Sequence, residues 1–64
     1  MREADLRARL ETHLGSGYSL MWSDTVVLAP LGHRTVTQAL AGGVPCKEIW
    51  RAAWEALELP LRER

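Results

Sequence analysis

The sequence predicts an all-α fold, a small orthogonal bundle of three to four short helices spanning residues 1–64 as a single helical domain. Three observations predict it. Apolar residues recur at helical spacing in four separate stretches. Gly and Pro separate those stretches at short intervals. The one β-prone run, Thr25 to Leu28, has no second run to pair with. Four apolar stripes on short connections imply helices packed around one core.

The first helix is expected from about Glu3 to Leu14. Leu6, Leu10, His13 and Leu14 share one face. Glu3 with Arg7 and Asp5 with Arg9 are ion pairs one turn apart. Acids in the first turn suit the helix dipole, and Gly15 is placed to end the helix in a left-handed cap.

A second helix is expected from about Ser16 to Ala29, with Ser16 as its N-cap. Tyr18, Met21, Trp22, Thr25 and Val26 follow the helical period, and Tyr18 and Trp22 are assigned to the core. Pro30 has no N–H to continue the ladder, so the helix ends before it.

The third helix is short, Val36 to Ala41. Thr35 and Gln38 have the spacing of a capping box, and Gly42 and Gly43 stop the helix.

The fourth helix, from about Cys46 to Leu57, is the clearest. Ile49, Trp50, Ala53, Trp54, Ala56 and Leu57 fall within an arc of about 160°. Lys47, Glu48, Arg51, Glu55 and Glu58 fill the other side. Pro45 suits the start, where its missing N–H costs nothing. Pro60 follows the end, and the tail from Leu61 to Arg64 is expected to fray.

The core assigned from these patterns comprises the first helix's Leu6, Leu10 and Leu14 with Tyr18, Trp22, Leu31, Leu40, Val44, Ile49, Trp50 and Leu57. Gly32, Thr35 and Gly43 are the turn and cap positions.

A chain this short buries only about 60% of the surface its unfolded form exposes, so its stability is marginal. Cys46 is the only cysteine, which excludes an intramolecular disulfide and fits a reducing compartment. Eight basic and eight acidic side chains cancel, which removes the commonest signature of nucleic-acid binding. The longest apolar run, Val26 to Leu31, is too short to cross a bilayer, and Arg2, Glu3 and Asp5 interrupt any leader-like start. A cytoplasmic location without membrane contact is expected.

Few residues suggest chemistry. Cys46 beside Lys47 in a first helical turn favours a thiolate, but nucleophilic catalysis also needs a positioned base. His13 is expected to pack against the core with one ring nitrogen on a backbone carbonyl, and His33 to lie exposed in a loop. The spacing of His13, His33 and Cys46 fits no zinc pattern. The acids show no paired-carboxylate arrangement. No catalytic residue, metal or cofactor is assigned.

Two binding readings remain. Arg34, before a helix cap, has the donors to clamp a carboxylate. Trp54 stands at the rim of the fourth helix's apolar arc, as a lid over a thin core or as an exposed contact residue. Arg34, Lys47, Arg51 and Trp54 therefore form the candidate interaction surface of a non-enzymatic module, toward a protein partner or a second copy. The alternative is a helix-turn-helix. Ala39, Gly43, Val44 and Ile49 have its spacing, and the fourth helix would read nucleic acid with Lys47 and Arg51. Glu48 and Glu55 on the same side repel phosphate and disfavour it.

The strings Leu31-Gly32-His33-Arg34-Thr35, Ala39-Leu40-Ala41-Gly42-Gly43-Val44 and Lys47-Glu48-Ile49-Trp50-Arg51-Ala52 resemble a family of short actinobacterial proteins. That family is classed only as a domain of unknown function. Met1-Arg2, and His13-Leu14-Gly15 with Tyr18, are similar to it as well, so the likeness runs along nearly the whole chain. Its members are often encoded near DNA recombination genes, which implies a context and no activity. No catalytic residue of the family is known, so none carries over. Ala4 and Pro45-Cys46 depart from the family's Thr and Asp-Pro, which implies the loss of two helix caps, each worth about 1 kcal/mol. Trp54 replaces a smaller residue.

Overall fold

A computed structural model describes residues 1–63. It contains the helices α1 (Glu3–Leu14), α2 (Ser16–Thr25), α3 (Val36–Ala41) and α4 (Cys46–Ala56), with 3₁₀ turns at Ala29–Leu31 and Leu61–Glu63. Among the described residues there is no strand, and the fold is a small all-α bundle. α4 packs against α1, α3 and the Ala29–Leu31 turn, while α2 packs against α1 and α3. Leu6, Leu10, Val36, Ala39, Ile49 and Ala53 are completely buried at the centre.

α1 starts without a hydroxyl cap. The Arg2 N–H donates to Asp5 Oδ2 at 3.1 Å, the half of a capping box that a donor-only arginine side chain permits. Ala4 therefore lies inside the first turn, and the cap expected at that position is not where the helix begins. Gly15 closes α1 and opens α2, at φ +87° and ψ 154°. That is the glycine-only extended region, not the left-handed helical cap expected, and it turns the chain between two abutting helices. Ser16 is the first residue of α2 rather than its cap, and no side chain caps that end.

Two expectations for the second segment are overturned. α2 stops at Thr25, and Val26 and Leu28 are extended. The Leu28 N–H donates to the Arg34 carbonyl at 3.0 Å in an isolated antiparallel bridge. The β-branched run needed one backbone partner rather than a strand. The chain supplies it by folding back through Ala29–Leu31 and two left-handed residues, Gly32 (φ 73°) and His33 (φ 60°). Tyr18 is also not a core residue. It is 51% exposed, because α2 turns Ser19, Trp22 and Ser23 inward.

α3 follows its expected bounds. Gln38 N donates to Thr35 Oγ1 at 3.1 Å and Thr35 N to Gln38 Oε1 at 3.0 Å, a complete capping box. Its end is a Schellman motif: Val44 N reaches Ala39 O and Gly43 N reaches Leu40 O, with Gly43 at φ 81°. Thr37 Oγ1 donates to the Ser23 carbonyl and to Asp24, tying the end of α2 to the start of α3. Leu40, Val44 and Leu57 are half-buried against the core, as Trp54 is.

α4 ends in a second Schellman motif, with Leu59 N on Trp54 O and Glu58 N on Glu55 O. Glu58 takes the left-handed position at φ 52° without glycine's freedom. The tail through residue 63 is docked rather than frayed. Trp54 Nε1 donates to the Pro60 carbonyl at 2.8 Å, and Glu63 Oε2 lies 3.5 Å from His13 Nε2. The fraying expected of Arg64 falls outside the described residues.

Candidate interaction surfaces

α4 presents its charges outward, as its pattern requires. Ile49, Trp50, Ala52 and Ala53 are buried, while Lys47, Glu48, Arg51 and Glu55 are exposed. Trp50 is covered from α1: the His13 ring stacks on it at 5.9 Å and 25°, and the Arg9 guanidinium lies 5.5 Å from its centroid. His13 thus meets an aromatic face and the Glu63 carboxylate, not the backbone carbonyl expected.

The four residues assigned to the interaction surface are only partly gathered. Lys47 and Arg51 line one cleft together. Trp54 is half-buried and its N–H is satisfied by Pro60, so it acts as the lid over the end of the core. Arg34 is exposed and sits by α3, where a Cβ added to Gly42 would lie 3.6 Å from its Nη1. The guanidinium is therefore near the negative end of α3. Among the described residues it forms no carboxylate pair.

Cys46 is half-buried and in no disulfide, with no hydrogen-bonded histidine or carboxylate among the described residues. His33 is exposed. No group of three or more His, Cys, Asp and Glu among the described residues gathers around a point fit for a metal. No described helix is long and apolar enough to cross a membrane.

Sequence reasoning missed one surface. Tyr18, Leu20 and Met21 on α2 are 51, 61 and 53% exposed, and Val27 just beyond the helix is 55% exposed. Tyr18 and Met21 stand one turn apart on the outer side of α2, Tyr18 at the edge of the buried face of Ser19, Trp22 and Ser23 and Met21 further round from it. A signal was present: Ser19, Trp22 and Ser23 are spaced as an inward face of their own, with two small residues flanking one large one.

A second feature is the cleft between α1 and α4, of about 530 Å³. Ala8 and Trp50 lie among its apolar walls, Arg9, Lys47 and Arg51 supply cations, and Asp5 is the one acid lining it.

α3 (Val36–Ala41), the Gly42–Gly43 turn and α4 (Cys46–Ala56) carry the residues of the helix-turn-helix spacing in consecutive elements that pack on each other. Gly43 has the positive φ such a turn needs, and Ala39 and Ile49 are buried at the crossing.

Comparison with curated proteins and with solved structures gives no match. A family model described as a protein of unknown function, DUF3046, matches residues 1–62, from the first turn of α1 to the docked tail, and the chain belongs to that family.

Proposed function

We propose that this protein is a non-enzymatic interaction module and that its contact face is the outer side of α2. One observation carries the reading: three large apolar side chains, Tyr18, Leu20 and Met21, are each more than half exposed while two serines of the same helix are buried. Large apolar side chains left together in water mark contact surfaces, and Tyr and Met are enriched in such faces. Asp24 is the one charged residue of α2, and Thr37 already holds it. The face therefore suits an apolar partner surface, on another protein or on a second copy, rather than a charged one. The outer side of α4 is the weaker candidate, because its apolar arc is spent on the core.

The test is a Tyr18→Ser, Met21→Ser double variant compared with the parent by sedimentation and by capture of a defined partner. The expected result is an association that the double variant loses while keeping its unfolding temperature. A parent that is monomeric at every concentration, with partners that bind the variant equally well, overturns the reading.

Nucleic-acid binding through α3 and α4 is the second reading, favoured by the Gly43 turn geometry. Glu48 and Glu55 stand beside Lys47 and Arg51 on the same outer side and oppose it.

A further inference from the structure

Gly17 is a glycine that the fold itself does not require. Gly15, Gly32 and Gly43 have positive φ, and a Cβ on Gly42 would crowd the Gln38 carbonyl at 3.4 Å. Gly17 has neither reason: its φ lies outside the left-handed region, and a Cβ there would meet nothing within 4 Å among the described residues. It is the second residue of α2 and exposed. Glycine in a helix weakens it relative to alanine, and its remaining use is to let another chain come close. At 100° per residue Gly17 falls between Leu20 on one side and Met21 on the other, with Tyr18 beyond Met21. Those three side chains are each more than half exposed. The outer side of α2 therefore carries a gap bordered by projecting apolar groups.

We propose that the occupant of this face is the same face of a second copy, packed about a two-fold axis with the two α2 helices antiparallel. The inference rests on the reading of the outer side of α2 as the contact face. A two-fold contact must be self-complementary, so one patch has to hold both the knob and the hole. Met21 and Gly17 supply them one turn apart, and each copy's Met21 fills the gap at the other's Gly17. Charge allows the pairing. Eight basic and eight acidic side chains cancel, so two copies do not repel at long range. Asp24, the one charge on α2, is bonded to Thr37 and lies beyond Met21. The antiparallel arrangement puts the two Asp24 carboxylates at opposite ends of the contact. Area sets the strength. Tyr18, Leu20, Met21 and Val27, each exposed by half or a little more, offer roughly 400 Å² per copy. Two copies then bury roughly 800 Å² together, short of the roughly 1,200–2,000 Å² of a stable interface. The dimer is therefore weak and forms in concentrated solution.

The test is a dilution series of the whole chain, from about 5 mM to about 20 µM, followed by amide NMR shifts and sedimentation. Concentration-dependent shifts centred on Gly17, Tyr18, Leu20 and Met21 are expected, with a dimer midpoint at or below about 1 mM. A Gly17→Leu variant closes its own gap and should pair at least about tenfold more weakly. Its unfolding temperature in dilute solution should be equal or higher, because leucine is the better helix former. A chain still monomeric at about 5 mM overturns the second copy as occupant and leaves the α2 face to another protein. Dimerisation through residues outside α2, or a Gly17→Leu variant that pairs as tightly as the parent, overturns this pairing as well. The α2 reading itself falls separately, when Tyr18→Ser, Met21→Ser changes neither self-association nor the binding of a defined partner.

Discussion

α4 and α2 are helices of nearly equal length, 11 and 10 residues, and they solve burial in opposite ways. α4 places its apolar arc inward and its charges in water. α2 buries two serines around one tryptophan and leaves tyrosine, leucine and methionine outside. The difference is one of cost. Turning α4 around would bury Lys47, Glu48, Arg51 and Glu55, each at several kcal/mol without a partner. α2 carries only Asp24, so charge does not fix its rotation. Shape decides instead: the small Ser19 and Ser23 are buried with Trp22 on the side of α2 that packs on α1 and α3, where small residues allow close approach.

The largest way to break this comparison is at Trp50. It is 2% exposed and lies between α4, His13 and Arg9. Trp50→Ala should cost about 3–5 kcal/mol, which in so small a domain approaches the whole stability. Urea unfolding measures it. A loss under about 1 kcal/mol would mean that α4 turns a different face to the core.

What was legible in the sequence follows the same division. The α3 capping box and the Gly43 turn were readable because each is made by residues within five positions of one another. The inner face of α4 was readable because charge forbids the alternative. The end of α2 was not, because the Leu28–Arg34 bridge depends on a turn that the β-prone run alone does not reveal. Tyr18 was misplaced because periodicity finds stripes without ranking them, and α2 has two. The docked tail was invisible for a third reason. Trp54 to Pro60 is closed between α4 and the segment that follows it, but His13 to Glu63 needs α1 and α4 already side by side. Of the α1–α4 cleft, the sequence offered Lys47 and Arg51 but not Arg9, which joins them only through that same packing.

A smaller effect of opposite sign sharpens the comparison. Ser19 Oγ returns its hydrogen bond to the Ser16 carbonyl, but Ser23 Oγ, 1% exposed, has no partner among the described residues. A buried hydroxyl without a partner costs about 1–3 kcal/mol, and alanine is also the better helix former. Ser23→Ala should therefore stabilise the domain by about 1 kcal/mol, raising the unfolding temperature by roughly 4–8 °C. Calorimetry checks it. Destabilisation would mean that the hydroxyl holds a bond that binds α2 to its neighbours.

The smallest effect is the most telling for function. Tyr18 and Met21 touch water on the outer side of α2, so replacing each by serine should change the stability of the isolated chain by less than about 0.5 kcal/mol. A core tyrosine or methionine would cost several times that. Near-zero cost would leave folding with no claim on two large apolar residues. Their presence would then have to be explained by what α2 touches, and loss of that contact at unchanged stability separates binding from folding. A cost of 2 kcal/mol or more would instead return Tyr18 to the core and place Ser19 and Ser23 on the open side.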